Sequence, residues 1–260
     1  MAIHKQNLRS KVVVLPAYNA ERTLKLTYKD LPRHMIDLII LVDNASSDNT
    51  VTIARELNLK TFVHNKNYGY GANQKTCYIE ALQAGADIVA MVHPDYQYDP
   101  SLIPLVIKPL DRGEADVVLA SRMMGDSPIK QGMPWWRNIA NRFLTRLENL
   151  VFGLNLSDYH TGYPAYSRRV LETVNFTMNS DKFIFDQEII AQIVYGGFRI
   201  KEVPVRTSYF PEASSASALD SIVYGMGILW LLLKLQLHKK GIPRQRQFES
   251  PKARYTEVCS

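Results

Sequence analysis

The chain has 260 residues, 46% hydrophobic and 22% charged, which is enough apolar matter for one substantial core and too much for a disordered or fibrous chain. Its 13 glycines and 13 prolines follow no period, which excludes collagen-like and solenoid architectures. Five of the six net positive charges fall from Lys234 onward, where seven basic residues face only Glu249 and Glu257, so the body is nearly neutral and offers no nucleic-acid-binding field.

Met1 to Lys11 lacks the apolar stretch of a signal peptide, and Cys77 and Cys259 make no disulfide framework, so a cytosolic protein is expected. Apolar, β-branched runs at Lys11–Leu15, Leu38–Val42, Thr61–Val63, Ile88–Val92 and Val117–Ala120 predict buried strands. Between them lie helical segments near 20–31, 48–58, 72–84 and 100–112. Unbroken apolar strands alternating with helices predict an α/β domain on a mostly parallel sheet covered on both faces.

After residue 121 come a Gly/Pro-punctuated loop, a helix over 134–154, a short irregular stretch, helices near 168–174 and 186–195, and a strand from Arg199 to Val205. The 134–154 helix repeats Trp136, Ile139, Phe143, Leu147, Leu150, Val151 and Leu154 at helical spacing, with Arg137, Arg142 and Arg146 elsewhere on its circumference. That pattern fits core packing. With Trp135 beside Trp136 it also fits a membrane interface, where indoles sit at headgroup level. A last helix, over 219–238, is apolar from Ile222 to Leu233, but only 13 residues separate Asp220 from Lys234, against roughly 20 for a span. It reads as a core helix or an interfacial one whose trailing cations attract anionic headgroups.

In an open parallel sheet, ligands bind beyond the carboxyl ends of the strands. Those positions are polar here: Pro16-Ala17-Tyr18-Asn19 after the first strand, Asp43 to Asp48 after the second, His93 to Gln97 after the fourth and Ser121-Arg122 after the fifth. Taken singly, each has a structural reading as a cap or turn residue. Converging on one edge, carboxylates, a carboxamide and an arginine suit a metal-bridged phosphate ligand. No Gly-x-x-x-x-Gly-Lys-Ser/Thr is present, and Gly69-Tyr70-Gly71 lacks the third glycine of a dinucleotide fingerprint.

The segments Val14 to Asn19, Leu41 to Thr50, Asn67 to Ala72 and Pro94 to Pro100 resemble, in order and spacing, family 2 glycosyltransferases with the GT-A fold, over roughly residues 10–125. Ser121-Arg122, Asp158 to Arg169 and Gly197 to Val205 are similar to the branch of dolichol-phosphate mannose synthases and related polyprenyl-phosphate glycosyltransferases. The resemblance implies a hexosyltransferase that moves a sugar, with inversion, from a nucleoside-diphosphate sugar to a polyprenyl phosphate, assisted by Mn²⁺ or Mg²⁺, at the cytosolic face of a membrane. It places Pro16, Tyr18 and Asp43 at the base and ribose, Asp95 and Gln97 at the metal, Asp95 also toward the donor, and Arg122 at the phosphates.

Two departures stand out. His93 occupies the place of the family's first metal-site aspartate; imidazole suits Mn²⁺ better than Mg²⁺, so His93 is either a ligand or a hydrogen-bonding neighbour. Where the family often has Glu, the chain has Ala20, with Glu21 as the nearby donor-site candidate. For a hydroxyl acceptor a general base is required, and Asp186 and Asp158 are the candidate catalytic carboxylates; a phosphate acceptor needs none.

The expected division is a GT-A domain over 1–210, with a donor half at 10–125 and an acceptor half at 126–210, an apolar interfacial helix at 211–240 and a basic, disordered tail at 241–260. Two alternatives remain, a transferase acting on a surface glycan and a catalytically silent nucleotide-sugar-binding module. A sugar-phosphate nucleotidyltransferase would carry a Gly-rich loop, and no glycine lies between Val14 and Asn19.

Overall fold

A computed structural model describes residues 9–125, 128, 129, 132–207 and 218–249, the side chains of 218–220 excepted. Its first half alternates as the patterning predicts: β1 (Lys11–Ala17), α1 (Leu24–Asp30), β2 (Leu38–Asp43), α2 (Thr50–Glu56), β3 (Lys60–Val63), α3 (Tyr70–Gln83), β4 (Ile88–Met91), α4 (Ile103–Asp111) and β5 (Val117–Ser121). The second half contributes α5 (Trp135–Phe152), β6 (Pro164–Ser167), α6 (Arg168–Thr173), α7 (Phe185–Tyr195), β7 (Ile200–Pro204) and α8 (Ala218–Lys239).

One seven-stranded sheet has the order β3-β2-β1-β4-β6-β5-β7. All neighbours are parallel except β6, which runs antiparallel between β4 and β5. Patterning leaves β6 as an irregular stretch because Pro-Ala-Tyr-Ser carries no β-branched residue; Pro164 is tolerated as the first residue of the strand. Its reversed direction decides the site, since the segment just before β6 emerges at the edge where β4 and β5 end.

The sheet is buried on both faces. Leu24, Ile103, Val106 and Leu110 of α1 and α4 pack on one side, and Tyr78, Phe152, Phe185, Ile189, Leu231 and Leu235 of α3, α5, α7 and α8 on the other.

α5 splits its apolar residues between two faces: Leu144, Leu147, Val151 and Phe152 pack on the core. Asn138, Thr145 and Glu148 are buried, while Ile139, Phe143 and Leu150 are 59%, 62% and 80% exposed. In α8, Ile228, Leu231, Leu232 and Leu235 are buried, whereas Ile222, Val223, Met226, Trp230 and Leu233 face outward. By length and composition α8 could cross a membrane. Its inner stripe, however, is committed to the core, so only its outer face is available to another phase.

The tail differs from expectation over 241–249. Phe248 is buried against α7, Gln192 Nε2 donates to the carbonyl of Gln247, Lys234 Nζ donates to Gln247 Oε1 at 3.0 Å, and Gln247 Nε2 donates to Asn179 Oδ1 at 3.0 Å. One buried aromatic and these contacts of Gln247 outweigh the basic composition there. Residues 250–260, with Lys252 and Arg254, and 208–217, which include the first seven positions of the expected 211–240 helix, lie outside the described residues.

Candidate active site at the carboxyl edge of the sheet

The first two strand ends are laced together. Asn19 N–H donates to Ser46 Oγ, Ser47 N–H to Asn19 Oδ1, and Ala20 N–H to Thr50 Oγ1, at 2.7–2.9 Å. Asp43 is wholly buried and accepts from both the backbone N–H and the hydroxyl of Ser46, which holds its carboxylate at the strand end. Asn19 and Ala45 adopt positive φ, 50° and 60°, a conformation that costs non-glycine residues and concentrates at functional loops. Pro16 is buried in β1, whereas Tyr18 stands 53% exposed above this corner. Glu21 Oε2 accepts from Asn49 N–H and Nδ2 at 3.0 Å, so it ties the β1 loop to α2.

Asp95 sits in a tight turn after β4. Its Oδ1 accepts from Gln97 N–H at 3.1 Å, and between them Tyr96 is strained to φ 61°. Two contacts from α1's side hold this turn: Thr23 Oγ1 donates to the carbonyl of Pro94, and Tyr96 Oη donates to Asp30 Oδ2. Among the described residues no three His, Cys, Asp or Glu side chains group as a ready-made cation cage. The donor set still fits a divalent ion, because Mg²⁺ in phosphate chemistry takes one or two protein carboxylates and completes its shell from phosphate and water. Asp95 would supply the carboxylate, its Oδ1 alone being used by the turn, with Gln97 beside it.

His93 points elsewhere. Its Nε2 lies 3.1 Å from Tyr70 Oη, and the two rings stack with centroids 5.4 Å apart. Tyr70 Oη donates to Asp186 Oδ2 and Gln74 Nε2 to Asp186 Oδ1, each at 2.8 Å. A chain of groups therefore links β4, α3 and the first turn of α7, with His93 as the hydrogen-bonding neighbour of Tyr70. Burial pushes the Asp186 carboxyl above its usual range, and hydrogen bonds from Gln74 and Tyr70 and the nearby His93 restrain the rise. Nothing local in the sequence marks Tyr70, since its partners are far along the chain. The signal available is the glycines on either side.

Those glycines are required by space. Gly71 N–H donates to the carbonyl of Asp181 at 2.8 Å, and a methyl group at Gly71 would lie 2.4 Å from Ser180 O and 2.8 Å from Phe185 Cβ. Gly71→Ala is accordingly expected to destabilise by about 3 kcal/mol, lowering Tm by roughly 6–12 °C. A thermal melt checks this; a shift within a degree or two would mean the 180–185 segment yields freely.

The remaining pieces come from the segment before β6. Asp158 is wholly buried; Arg122 Nε donates to its Oδ2 at 2.8 Å and Nη2 to its Oδ1 at 3.1 Å. Burial alone would raise its pKa, but the Arg122 guanidinium and the hydrogen bonds around it bring the carboxyl below the usual range. Asp158, expected as a candidate base, has both oxygens engaged and is paired with the Arg122 guanidinium. Gly162 lies against His93, where an added Cβ would come within 3.1 Å of the imidazole. The structure brings together Asp43, Asp95, Gln97, His93, Arg122 and Asp186 at one edge, with Glu21 and Asp158 as supports behind it.

Comparison with known proteins agrees with this geometry. A model of the family described as Glycosyl transferase family 2 matches residues 12–174. The chain is 28% identical over 244 residues to a UDP-N-acetylglucosamine–dolichyl-phosphate N-acetylglucosaminyltransferase of Methanococcus voltae, covering 87% of this chain and 96% of that protein. It is 25% identical over 202 residues to a polyprenol monophosphomannose synthase of Mycolicibacterium smegmatis, covering 75% and 76%. Among solved structures, glucosyl-3-phosphoglycerate synthase of Mycobacterium tuberculosis in complex with Mn²⁺, UDP and glucosyl-3-phosphoglycerate superposes with a TM-score of 0.66 at 18% identity, over 90% of this chain and 81% of that one. That likeness carries the fold. With a mixed, mostly parallel sheet, polar strand ends on one edge and a family match over most of the ordered core, the chain belongs to glycosyl transferase family 2 and is a glycosyltransferase.

Proposed function

We propose that this glycosyltransferase moves a sugar from a nucleoside-diphosphate sugar to a polyprenyl phosphate at the cytosolic surface of a membrane. The observation that carries this reading is the outward apolar face of α5 and α8. Trp135, Ile139, Phe143 and Leu150 on one helix, and Ile222, Val223, Met226 and Trp230 on the other, are all more than half exposed. A water-soluble acceptor gives such a surface no purpose, whereas a polyprenyl chain does. Arg142 and Arg146, exposed on α5, and Lys239 and Lys240 at the end of α8 suit anionic headgroups beside it. The relatives named for dolichyl phosphate and polyprenol support the same acceptor class.

In this reading residues 10–125 hold the donor and 126–210 the acceptor. Asp43, with Pro16 and Tyr18 beside it, receives the base and ribose, and Asp95 and Gln97 face the diphosphate. A bound Mn²⁺ or Mg²⁺ would neutralise charge on the departing nucleoside diphosphate. Arg122, held by Asp158, adds a fixed positive charge on the same side. An acceptor phosphate oxygen attacks the anomeric carbon, the bond to the diphosphate oxygen breaks, and its electron pair leaves with the nucleotide. Because that phosphate is already ionised, no base is needed, and Asp186 serves to hold Tyr70 and His93 in place.

Radiolabelled UDP-, GDP-, CDP- and dTDP-sugars, incubated with polyprenyl phosphate and Mn²⁺ or Mg²⁺, test this directly. One donor should yield organic-extractable label. Label passing only to a water-soluble glycan, or to nothing, would overturn the acceptor assignment. The membrane face has its own test: the double substitution Ile222→Glu and Trp230→Glu, at residues 63% and 57% exposed, should leave the fold intact and cut co-sedimentation with phosphatidylglycerol vesicles by about tenfold. Unchanged co-sedimentation would place the contact elsewhere.

A further inference from the structure

Beneath the loop that carries Asp158, four elements meet around a carboxylate that the proposed transfer does not engage directly. Glu148 of α5 is 1% exposed, and its oxygens make no hydrogen bond among the described residues; Oε2 lies 3.3 Å from His160 Nε2. On the far side of the imidazole, Nδ1 lies 3.2 Å from Tyr224 Oη of α8 and 3.1 Å from Gln187 Nε2 of α7. The orientation of the Gln187 amide follows from the carbonyl of Tyr159, an acceptor only, which takes Nε2 at 2.8 Å. The second N–H of that amide is shared between Tyr224 Oη, at 2.9 Å, and His160 Nδ1. Nε2 is thus the ring nitrogen that faces the Glu148 carboxylate, while Nδ1 faces Tyr224 and Gln187.

The main chain of His160 works in the other direction. Its N–H donates to Asp158 Oδ1 at 2.9 Å, and its carbonyl accepts from Arg122 Nη2 at 2.5 Å. The side chain is thus gripped by α5, α7 and α8, while the backbone grips the arginine at the donor edge. Glu148 faces the ring from α5, Tyr224 from α8 and the neutral Gln187 from α7, with Asp158 and Arg122 on the backbone side. Burial raises the Glu148 pKa, and the nearby His160 opposes that rise.

A buried carboxylate with one partner is a poor way to fill space, and an apolar side chain of similar size commonly does so at equal or greater stability. We propose that Glu148 and His160 are a positioning pair for sugar transfer: Glu148 fixes the His160 ring, and the His160 backbone in turn fixes Arg122. The inference rests on the reading above only in giving Arg122 a place beside the donor phosphates.

Glu148→Leu and Glu148→Gln in the full-length protein separate positioning from packing. In Glu148→Leu, Tm should be unchanged or higher, while the Arg122 Nε–H resonance should exchange with water about tenfold faster than in the wild type. Its kcat should fall about tenfold with the donor KM within about threefold, whereas Glu148→Gln, which keeps an oxygen facing His160 Nε2, should hold kcat within about threefold. Should the leucine variant not fold, Glu148→Met fills the same volume with a flexible chain and serves the same comparison. Wild-type exchange at Arg122, or undiminished kcat, in a folded apolar variant overturns the proposal. A wild-type protein that labels no polyprenyl phosphate overturns the acceptor assignment instead, and the Arg122 exchange measurement still decides this one.

Discussion

Asp95→Asn is expected to lower kcat for sugar transfer by about a thousandfold at saturating donor, the scale on which removal of one preorganised charge contact to a reacting group acts. The substitution is close to isosteric. The amide oxygen of the introduced asparagine can still accept from Gln97 N–H, and the restraints on Pro94 and Tyr96 from Thr23 and Asp30 remain. The turn should therefore keep its strained form, and any loss will report on charge. A companion thermal-shift titration makes the assignment specific: ligand that binds only the folded state raises Tm, so Mn²⁺ should add to the shift by the nucleoside-diphosphate sugar in the wild type and not in the variant. An Asp95→Asn enzyme within tenfold of wild type would remove Asp95 from the metal site and direct attention to His93.

The second large effect is expected at Asp186. Asparagine offers one oxygen where the carboxylate offers two, so it cannot accept from both Tyr70 and Gln74, and kcat should fall about a hundredfold. The pH profile reveals the role. A carboxylate whose pKa lies above its ordinary 3.8 loses its charge as pH falls through that raised value. Were Asp186 the base for a hydroxyl acceptor, activity would decline on the acid side through that value, and asparagine would abolish the limb. With a phosphate monoester as acceptor, the acid limb belongs to the acceptor's second ionisation, at about pH 6, and persists in Asp186→Asn at reduced amplitude. The second pattern is the expected one.

Strand ends were legible because the sheet is parallel. In such a fold a polar residue following an apolar run is almost forced to the ligand-binding edge, so Asp43, Asp95 and Arg122 can be placed without coordinates. β6 was not, since four residues with a proline carry no period and antiparallel insertion leaves no local mark. The chain of His93, Tyr70 and Asp186 was invisible for a related reason: its members are separated by up to 116 residues and meet only through tertiary packing. Apolar spacing on α5 allowed two faces, core or interface. The structure buries Asn138, Thr145 and Glu148 with Phe152 and leaves Ile139 and Phe143 out, and of the buried polar residues Glu148 reaches His160. Asp158 and Glu21 were visible as acids but not as supports, because a carboxylate's partner, Arg122 in one case and Asn49 in the other, is fixed only by the fold.

The antiparallel strand also governs the order in which this chain can assemble. Strands β1 to β4 can pair with one another as soon as β4 has been synthesised, because all four precede β5 in the chain. β5 is different: among the described strands it pairs only with β6 and β7, both synthesised after it and after the long helix α5. It must therefore wait, apolar and unpartnered, with the exposed edge of β4 beside it. Both edges are closed at once when Pro164–Ser167 slides between them. A nascent chain stalled between β5 and β6 would be exposed to wrong edge pairing, and chaperone dependence during synthesis should peak in that interval.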